Sequence, residues 1–541
     1  MSGGGLMQLV AYGAQDVYLS GNPQITFFKV VYRRHTNFSV EPIQQTWNGA
    51  ADFGRTVTCN INRNGDLITN MYVAVKLNAQ PAGGAAWGYV NRLGHAMIES
   101  VKIEIGGSKV DEQYGDWLNI WYELTHKTGQ VRGYSKMIGD VSEITGVNSN
   151  ATDAYQMYVP LQFWFNRNNG LALPLIALQY HDVRVTLKFR DALACVNFAG
   201  TTAPTLNNLM ADSYLLIDYV YLDSEERKRF AQASHEYLIE QLQFTGSESL
   251  TAASNKYRLN FNHPSKYLIW APHLERHMNR TKWISYAFDG NWAAARDRFA
   301  KVLACAATTG VVAPTTGIIT APLSGSFAVG DLVEPNRTTG GIFDKFEVKF
   351  VAQNSLAPVQ LSSSFSNLLE NAIVTKNELT MEDMSNTIDQ LIALNASSAV
   401  LNAYALNVVD YHNYGNFIDG TNNPVINAKL QLNGHDRFQA RDGNYFNYVQ
   451  PAQHFSNTPA DGINVYSFAL RAEDHQPTGT CNFSRIDNAT LQVDCGMNNA
   501  ASSTYVSRFI GSSSNSVVNI YTQNYNVLRV MSGMAGTAYS N

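Results

Sequence analysis

Short alternating runs of apolar and polar residues, closed by turn residues, dominate the chain. Residues 56–62 (Thr-Val-Thr-Cys-Asn-Ile-Asn) alternate and end at Asn64-Gly65, a pair suited to positive φ, which predicts a strand followed by a hairpin. Residues 71–77 continue as a second strand, and residues 101–105 alternate strictly before turning at Gly106-Gly107. In residues 183–189 the apolar positions Val183, Val185, Leu187 and Phe189 share one face and the basic ones the other, as a half-buried strand requires. Residues 25–32 form a further β-rich run, entered through the turn cluster Gly21-Asn22-Pro23.

Helical periodicity is rare. Trp117, Ile120, Trp121 and Leu124 follow Asp116, an expected N-cap, at i, i+3, i+4 and i+7. Residues 224–230 carry a capping Ser224, then Glu225 and Glu226, then three basic residues, which suits the helix dipole. That short helix divides the chain into halves that echo one another. Residues 101–107 resemble residues 428–434, an aromatic cluster follows each, and a further alternating strand follows each cluster. The second half holds an excess of roughly 150 residues, longer than ordinary connections, which reads as an elaborated insertion. The pattern therefore predicts an all-β protein, two tandem jelly-roll β-sandwiches with few short helices and long loop insertions. The expected divisions are an arm over 1–24, a first jelly roll over 25–223, a linker helix over 224–234 and a second jelly roll over 235–541. The insertion falls at about 280–425 of the last.

Composition narrows the function. Hydrophobic residues make up 45% and charged residues 15%, against about 25% charged in ordinary soluble proteins. Disorder and coiled coils are excluded by that balance. A net charge of −5 is no footprint of a nucleic-acid binder. The five cysteines are odd in number and widely spaced, so reduced thiols are expected in place of a disulfide or zinc framework. The N-terminus has no positive, then apolar, signal pattern. The motif search finds no chemistry. Asn60-x-Asn62-x-Asn64-Gly65 imitates a calcium loop but has Met71 where a bidentate Glu is needed. His273 and His277 lack the Glu of a zinc-protease helix and read as a surface or interface pair, and no glycine stretch completes a phosphate loop. No catalytic residue, cofactor or metal site is expected.

Three segments are specific enough to point to a family. Residues 5–38, from Gly5-Leu-Met-Gln-Leu to Val-Val-Tyr-Arg-Arg-His-Thr-Asn-Phe38, closely resemble the N-terminus of the major capsid proteins of nucleocytoplasmic large DNA viruses. Residues 223–240 are similar to that family at the junction, and residues 466–470 with 476–487 are similar to its C-terminal motif. The resemblance implies a double jelly roll, three copies of which form a pseudo-hexagonal capsomer tiling an icosahedral shell. The implied partners are two further copies, neighbouring capsomers, and minor capsid and penton proteins. An inner membrane would lie nearby without being spanned, no nucleic acid would be bound directly, and assembly would take place in the host cytoplasm. The glycine-rich arm, with Gly3, Gly4, Gly5, Leu6 and Met7, would run beneath the capsomer as an assembly arm, and the insertion would form part of its outward top.

Two further expectations come from the residues. Strand alternation would set Arg485 and Asp487 on one face of residues 484–487, where an ionic pair locks a loop or subunit junction. The scarcity of charge fits a surface dried against copies of itself, which predicts charges concentrated on the insertion and on the capsomer's outer faces. The competing reading is a carbohydrate-binding or carbohydrate-processing protein built on tandem β-sandwiches, with Tyr and Trp stacking on sugars.

Overall fold

The structure, a computed structural model, describes residues 4–273 except positions 12, 25, 31, 84–86, 146–150 and 199–202, then positions 284, 286, 332–333 and 346–347, and residues 423–495 and 515–539. The 280–425 insertion thus lies almost wholly outside the described residues, as do Gly3, His277 and Cys305.

Eight strands build the first sandwich. They are β1 (Phe38–Thr46), β2 (Thr56–Asn60), β3 (Leu67–Leu77), β4 (Ile98–Ile105), β5 (Ser108–Tyr114), β6 (Tyr155–Pro160), β7 (Val183–Phe189) and β8 (Met210–Leu222). They pair antiparallel as β1-β8-β3-β6 and β2-β7-β4-β5. Eight more follow: β9 (His235–Ser249), β10 (Ser254–Arg258), β11 (Pro264–His273), β12 (Val425–Leu432), β13 (His435–Asp436), β14 (Asn464–Ser467), β15 (Ala489–Cys495) and β16 (Val517–Met531). Their sheets are β9-β16-β11-β14 and β10-β15-β12-β13. Each strand of the second set sits where its counterpart eight places earlier sits in the first, and each set is a jelly roll. A last strand, β17 (Met534–Thr537), hairpins onto β16.

The inward faces meet as alternation demands. In the first sandwich Val73, Val75, Leu215 and Ile217 pack towards Val57, Cys59, Val101, Ile103, Val185 and Leu187. In the second, Leu268, Trp270, Val518 and Ile520 face Tyr257, Leu430, Leu491 and Val493. The β4–β5 hairpin turns on Gly106 (φ 58°) and Gly107 (φ 81°), and β12–β13 turns on Asn433 (φ 50°) and Gly434 (φ 82°). Two successive positive φ values match the twist of the flanking strands, so the echo between 101–107 and 428–434 is one turn used twice.

Four local expectations are corrected. The described residues of 25–32 form no strand; β1 begins at Phe38, and Phe27 and Phe28 stand exposed. Asn64-Gly65 makes no hairpin, because β2 pairs with β7 while β3 pairs with β8 and β6, so the chain crosses between sheets there. A Cβ on Gly65 would lie 2.9 Å from the Tyr219 Cβ, so close approach and not turn type requires this glycine. Helix α1 (Gly115–Thr125) is capped from Tyr114 and has Asp116 inside its first turn. Helix α2 (Ser224–Gln232) is capped by Asp223, whose carboxylate accepts from the Ser224 N–H at 2.8 Å, and not by Ser224 itself.

Gly434 has open space where a Cβ would stand. Gly434→Ala should therefore cost only the left-handed conformational penalty, about 1–2 kcal/mol, read as a lower melting temperature with an unchanged far-UV spectrum.

Candidate functional site

Among the described residues no catalytic constellation is assembled, and the seam between the sandwiches is densely organised. Strand β16 explains why it exists. Residues 518–526 are all buried, although a strand at the surface of a sandwich should bury only alternate residues. Val518 and Ile520 point into the second core, while Tyr521 joins the core that continues from the first sandwich. Helix α1 supplies the cover. Trp117 lies near-parallel to Tyr267 at 6.5 Å between ring centroids and 5.8 Å from Tyr521, and Phe244 stacks on Tyr521 at 4.8 Å. Tyr114, at the end of β5, meets Phe244 edge-on at 5.0 Å.

Polar groups lock the same seam. Glu240 of β9, almost wholly buried, receives the Arg167 guanidinium from the first sandwich at 2.8 Å and the Lys266 ammonium from β11 at 2.9 Å. Lys266 also donates to the Asp474 carbonyl at 2.8 Å, and Arg167 lies 4.7 Å over the Trp121 ring. Burial opposes the charge on Glu240, but Arg167, His475 and Lys266 overrule it and hold the carboxyl down at about 2. Burial likewise draws Lys266 below its ordinary value, only partly countered by Glu240. Two cations face the carboxylate, while Lys266 shares that one anion with Arg167.

Further bonds cross the seam. The Leu242 N–H donates to Asp111 at 3.0 Å, and burial lifts that carboxyl to about 6 against this bond and those of Gln113 and Glu112. Asn519 donates to Asp116 at 3.3 Å, the Asn457 N–H to the Leu124 carbonyl at 3.1 Å, and the Ala460 N–H to Glu123 at 3.2 Å. At the far end the Tyr180 N–H donates to the Gly533 carbonyl at 2.9 Å.

The residues singled out from sequence fall elsewhere. The arm is helical at Gly4–Val10 and Asp16–Ser20, and Met7 is exposed. Of Gly4, Gly5 and Leu6 only the backbone is described. Arg485 and Asp487 do not share a strand face. Phe483–Arg485 is a 3-10 turn, because the Asn482 side chain accepts from the Ser484 N–H at 3.1 Å and breaks the alternation. Both side chains are exposed, and among the described residues no ion pair joins them. Within this motif the buried anchor is Phe483, with Ser484 Oγ accepting from the His263 N–H at 2.8 Å. His273, expected at a surface or interface, is buried in β11, with its ring 5.2 Å from Tyr286 and its Nδ1 3.9 Å from Asp116 of the first sandwich.

Among the described residues no three potential ligands gather as a metal site, and no helix is long and apolar enough to cross a membrane. Cys59, Cys195 and Cys495 are buried free thiols, pushed up by desolvation to about 11, about 12 and about 12. The charge expectation fails for the insertion: residues 280–425 hold 22 charged residues in 146, no richer than the chain's 15%.

The ionic trio was missed because its members are far apart in sequence. The signal that was present is Lys266 in the apolar run Tyr267-Leu-Ile-Trp270, since a lysine there must be paired. Glu240→Gln should cost about 3–5 kcal/mol, because two buried cations lose their anion. A carboxyl held below its ordinary 4.5 adds stability above that value and loses it as pH falls towards 2. Melting temperatures should therefore fall more steeply between pH 5 and pH 2 in the wild type than in Glu240→Gln.

Comparisons with known proteins agree on one group. A family model described as large eukaryotic DNA virus major capsid protein matches residues 226–536, and one described as major capsid protein N-terminus matches residues 26–223. The major capsid protein of Phaeocystis pouchetii virus is 42% identical, with 99% of this chain and 100% of that one covered. Capsid protein 1 of Acanthamoeba polyphaga mimivirus is 41% identical over 99% and 100% of the two chains. Among solved structures, a quasi-atomic model of the PBCV-1 virus capsid covers 95% of this chain and 100% of its own at 31% identity and a TM-score of 0.62. The Faustovirus major capsid protein shares the fold at 12% identity and a TM-score of 0.60, with 96% and 94% covered.

Proposed function

The chain belongs to the major capsid proteins of large eukaryotic DNA viruses, and on that premise we propose that it acts as a homotrimer, a pseudo-hexagonal capsomer tiling an icosahedral shell. It is a structural protein of the virion capsid. The observation that carries the trimer is the repetition of one strand order in two sandwiches fixed to each other by a dry seam. Three such chains offer six similar units, which suits a sixfold environment with heterologous contacts that close on themselves. Contacts inside such a capsomer would be of the large, obligate kind, burying on the order of 2,000 Å² or more. Those between capsomers can be individually weak because many act together.

The exposed N-terminal arm would lie beneath the capsomer, against minor capsid proteins, penton proteins or neighbouring capsomers, with an inner membrane nearby. The 280–425 insertion would face outward, and assembly would take place in the host cytoplasm. Arg485 and Asp487, being exposed and free of an ion pair with each other, would serve as contacts to another copy in place of an internal lock. The carbohydrate reading has nothing in its favour: the matched relatives and neighbours are capsid proteins.

Sedimentation equilibrium of the purified chain should return three times the chain mass; a monomer at micromolar concentration contradicts the capsomer. A chain lacking residues 1–20 should still form trimers yet fail to build shells, seen by electron microscopy, and normal shells from it remove the arm's role. Arg485→Ala and Asp487→Ala should each lower the trimer's dissociation temperature, and no change in either variant ends that assignment.

A further inference from the structure

Two carboxyl groups buried in the seam are held in opposite ways. Glu240 faces the cations Arg167 and Lys266. Asp111 of β5 is 3% exposed, and among the described residues no ion pair reaches it. Its hydrogen bonds come from neutral donors. The Leu242 and Glu112 N–H groups each donate to Oδ1 at 3.0 Å, and the Gln113 side-chain amide donates to Oδ2 at 3.1 Å.

The topology explains why an acid stands there. β5 is the outer strand of its sheet and β9 the outer strand of its own, and the two edges meet. The Gln241 side chain donates to the Val110 carbonyl, and the Leu242 N–H, which points away from β16, finds its acceptor in Asp111. The charged and titratable groups around Asp111 are engaged elsewhere. Glu112 and Tyr114 share its strand, and Glu112 is bonded to Lys109 at 2.9 Å. On β4, Lys102 and Glu104 flank Ile103, the residue opposite Asp111, and bond to each other at 2.9 Å. β9 brings Glu240, and the helical turn Trp164–Arg167 brings Arg167, which is bonded to Glu240 at 2.8 Å. β17, which also packs on β5, carries no charge.

A carboxylate buried without a cation is costly, whereas the neutral acid is not. Desolvation accordingly raises Asp111 to about 6, against its hydrogen bonds and the more distant Arg167. A carboxyl raised above its ordinary 3.8 binds a proton more tightly in the closed seam than in the opened one. The seam therefore gains stability as pH falls from about 6 towards 3.8, and Glu240 gives way only below 4.5.

We propose that Asp111 is a proton-operated fastener: in mild acid it takes up a proton inside the seam and holds the two sandwiches together more firmly. The proton goes to Oδ2, which has only the Gln113 amide on it, while Oδ1 keeps both backbone N–H groups. The Gln113 side-chain oxygen is buried and has no partner among the described residues. Turning that amide over lets this oxygen accept the new O–H, in exchange for the present bond from Gln113 to the Gln162 carbonyl. The device lies within one chain and does not depend on the capsomer reading. Tiles of this kind would be stiffest in a mildly acidified compartment and slacker at neutral pH.

The test is hydrogen exchange of the full chain, followed on the β9 peptide that includes Leu242 and corrected for the intrinsic effect of pH. From pH 7 to pH 5, protection should rise roughly tenfold in the wild type, the ratio that carboxyl values near 6 and 3.8 give. Asp111→Asn, neutral at every pH, should lack that rise, and Asp111→Ser, also neutral, serves if the amide prevents folding. His475 and His273, the histidines of the same seam, stay in both variants, so the difference from wild type belongs to Asp111. Wild-type protection that does not rise in acid, or that rises equally in a neutral variant, overturns the proposal.

Discussion

The outward face of the sheet β9-β16-β11-β14 cannot be left in water, and most of the architecture follows from how it is kept dry. Tyr521, Tyr267 and Phe244 on that face need apolar neighbours, and Trp117 of α1 with Tyr114 provides them from a different sandwich. The strands between these aromatics also bring Glu240 and Lys266 into the same dry layer. An unpaired charge there would cost several kcal/mol, so Arg167 has to arrive from the first sandwich to complete the balance. Apolar cover and ionic balance thus demand one relative placement of the two units. A pair of jelly rolls joined only by a helix would be free to swing; these two form a single tile.

Amides take a large share of this work. Roughly fifty Asn residues stand in the sequence, a larger share than average usage provides, and several occupy the buried centre of β16. Asn526 donates to Gln241 at 2.9 Å and Gln243 donates to Asn524 at 2.8 Å, linking the side chains of β9 and β16 beside their backbone ladder. Neutral amides satisfy one another in a dry sheet without the desolvation cost of ions. The low charge of the chain is therefore explained in part within one subunit, not only by contacts between copies. That agrees with the insertion having no excess of charge.

Legibility in the sequence followed the range of the interactions. Residues 183–189 and 101–107 were readable because alternation and a positive-φ turn are local properties. The helix of Trp117 and Leu124 was readable for the same reason. Asn64-Gly65 misled because a hairpin and a crossing between sheets have the same local residues; only the pairing of β2 with β7 separates them. Residues 25–32 have strand composition but no partner edge among the described residues, and composition alone cannot supply one. Arg485 and Asp487 were placed by alternation, which the Asn482 side chain interrupts. The seam was least legible, since Arg167, Glu240 and Lys266 meet only after both sandwiches exist. The family resemblance supplied the architecture but not this contact.

Strand β16 has a temporal consequence as well. It is an inner strand of its sheet, yet Gln243 of β9 and Asn524 of β16, which bond to each other, are 281 positions apart. During synthesis β9 and β11 emerge early and wait, with their aromatic faces unpaired, until the far end of the chain leaves the ribosome. Pairings of such long range close slowly and expose apolar edges meanwhile. Until β16 arrives, Trp117 has no Tyr521 to meet and the two sandwiches have no fixed angle. Nascent and half-made chains therefore cannot hold their two sandwiches at one fixed angle: the order of synthesis decides when the seam closes.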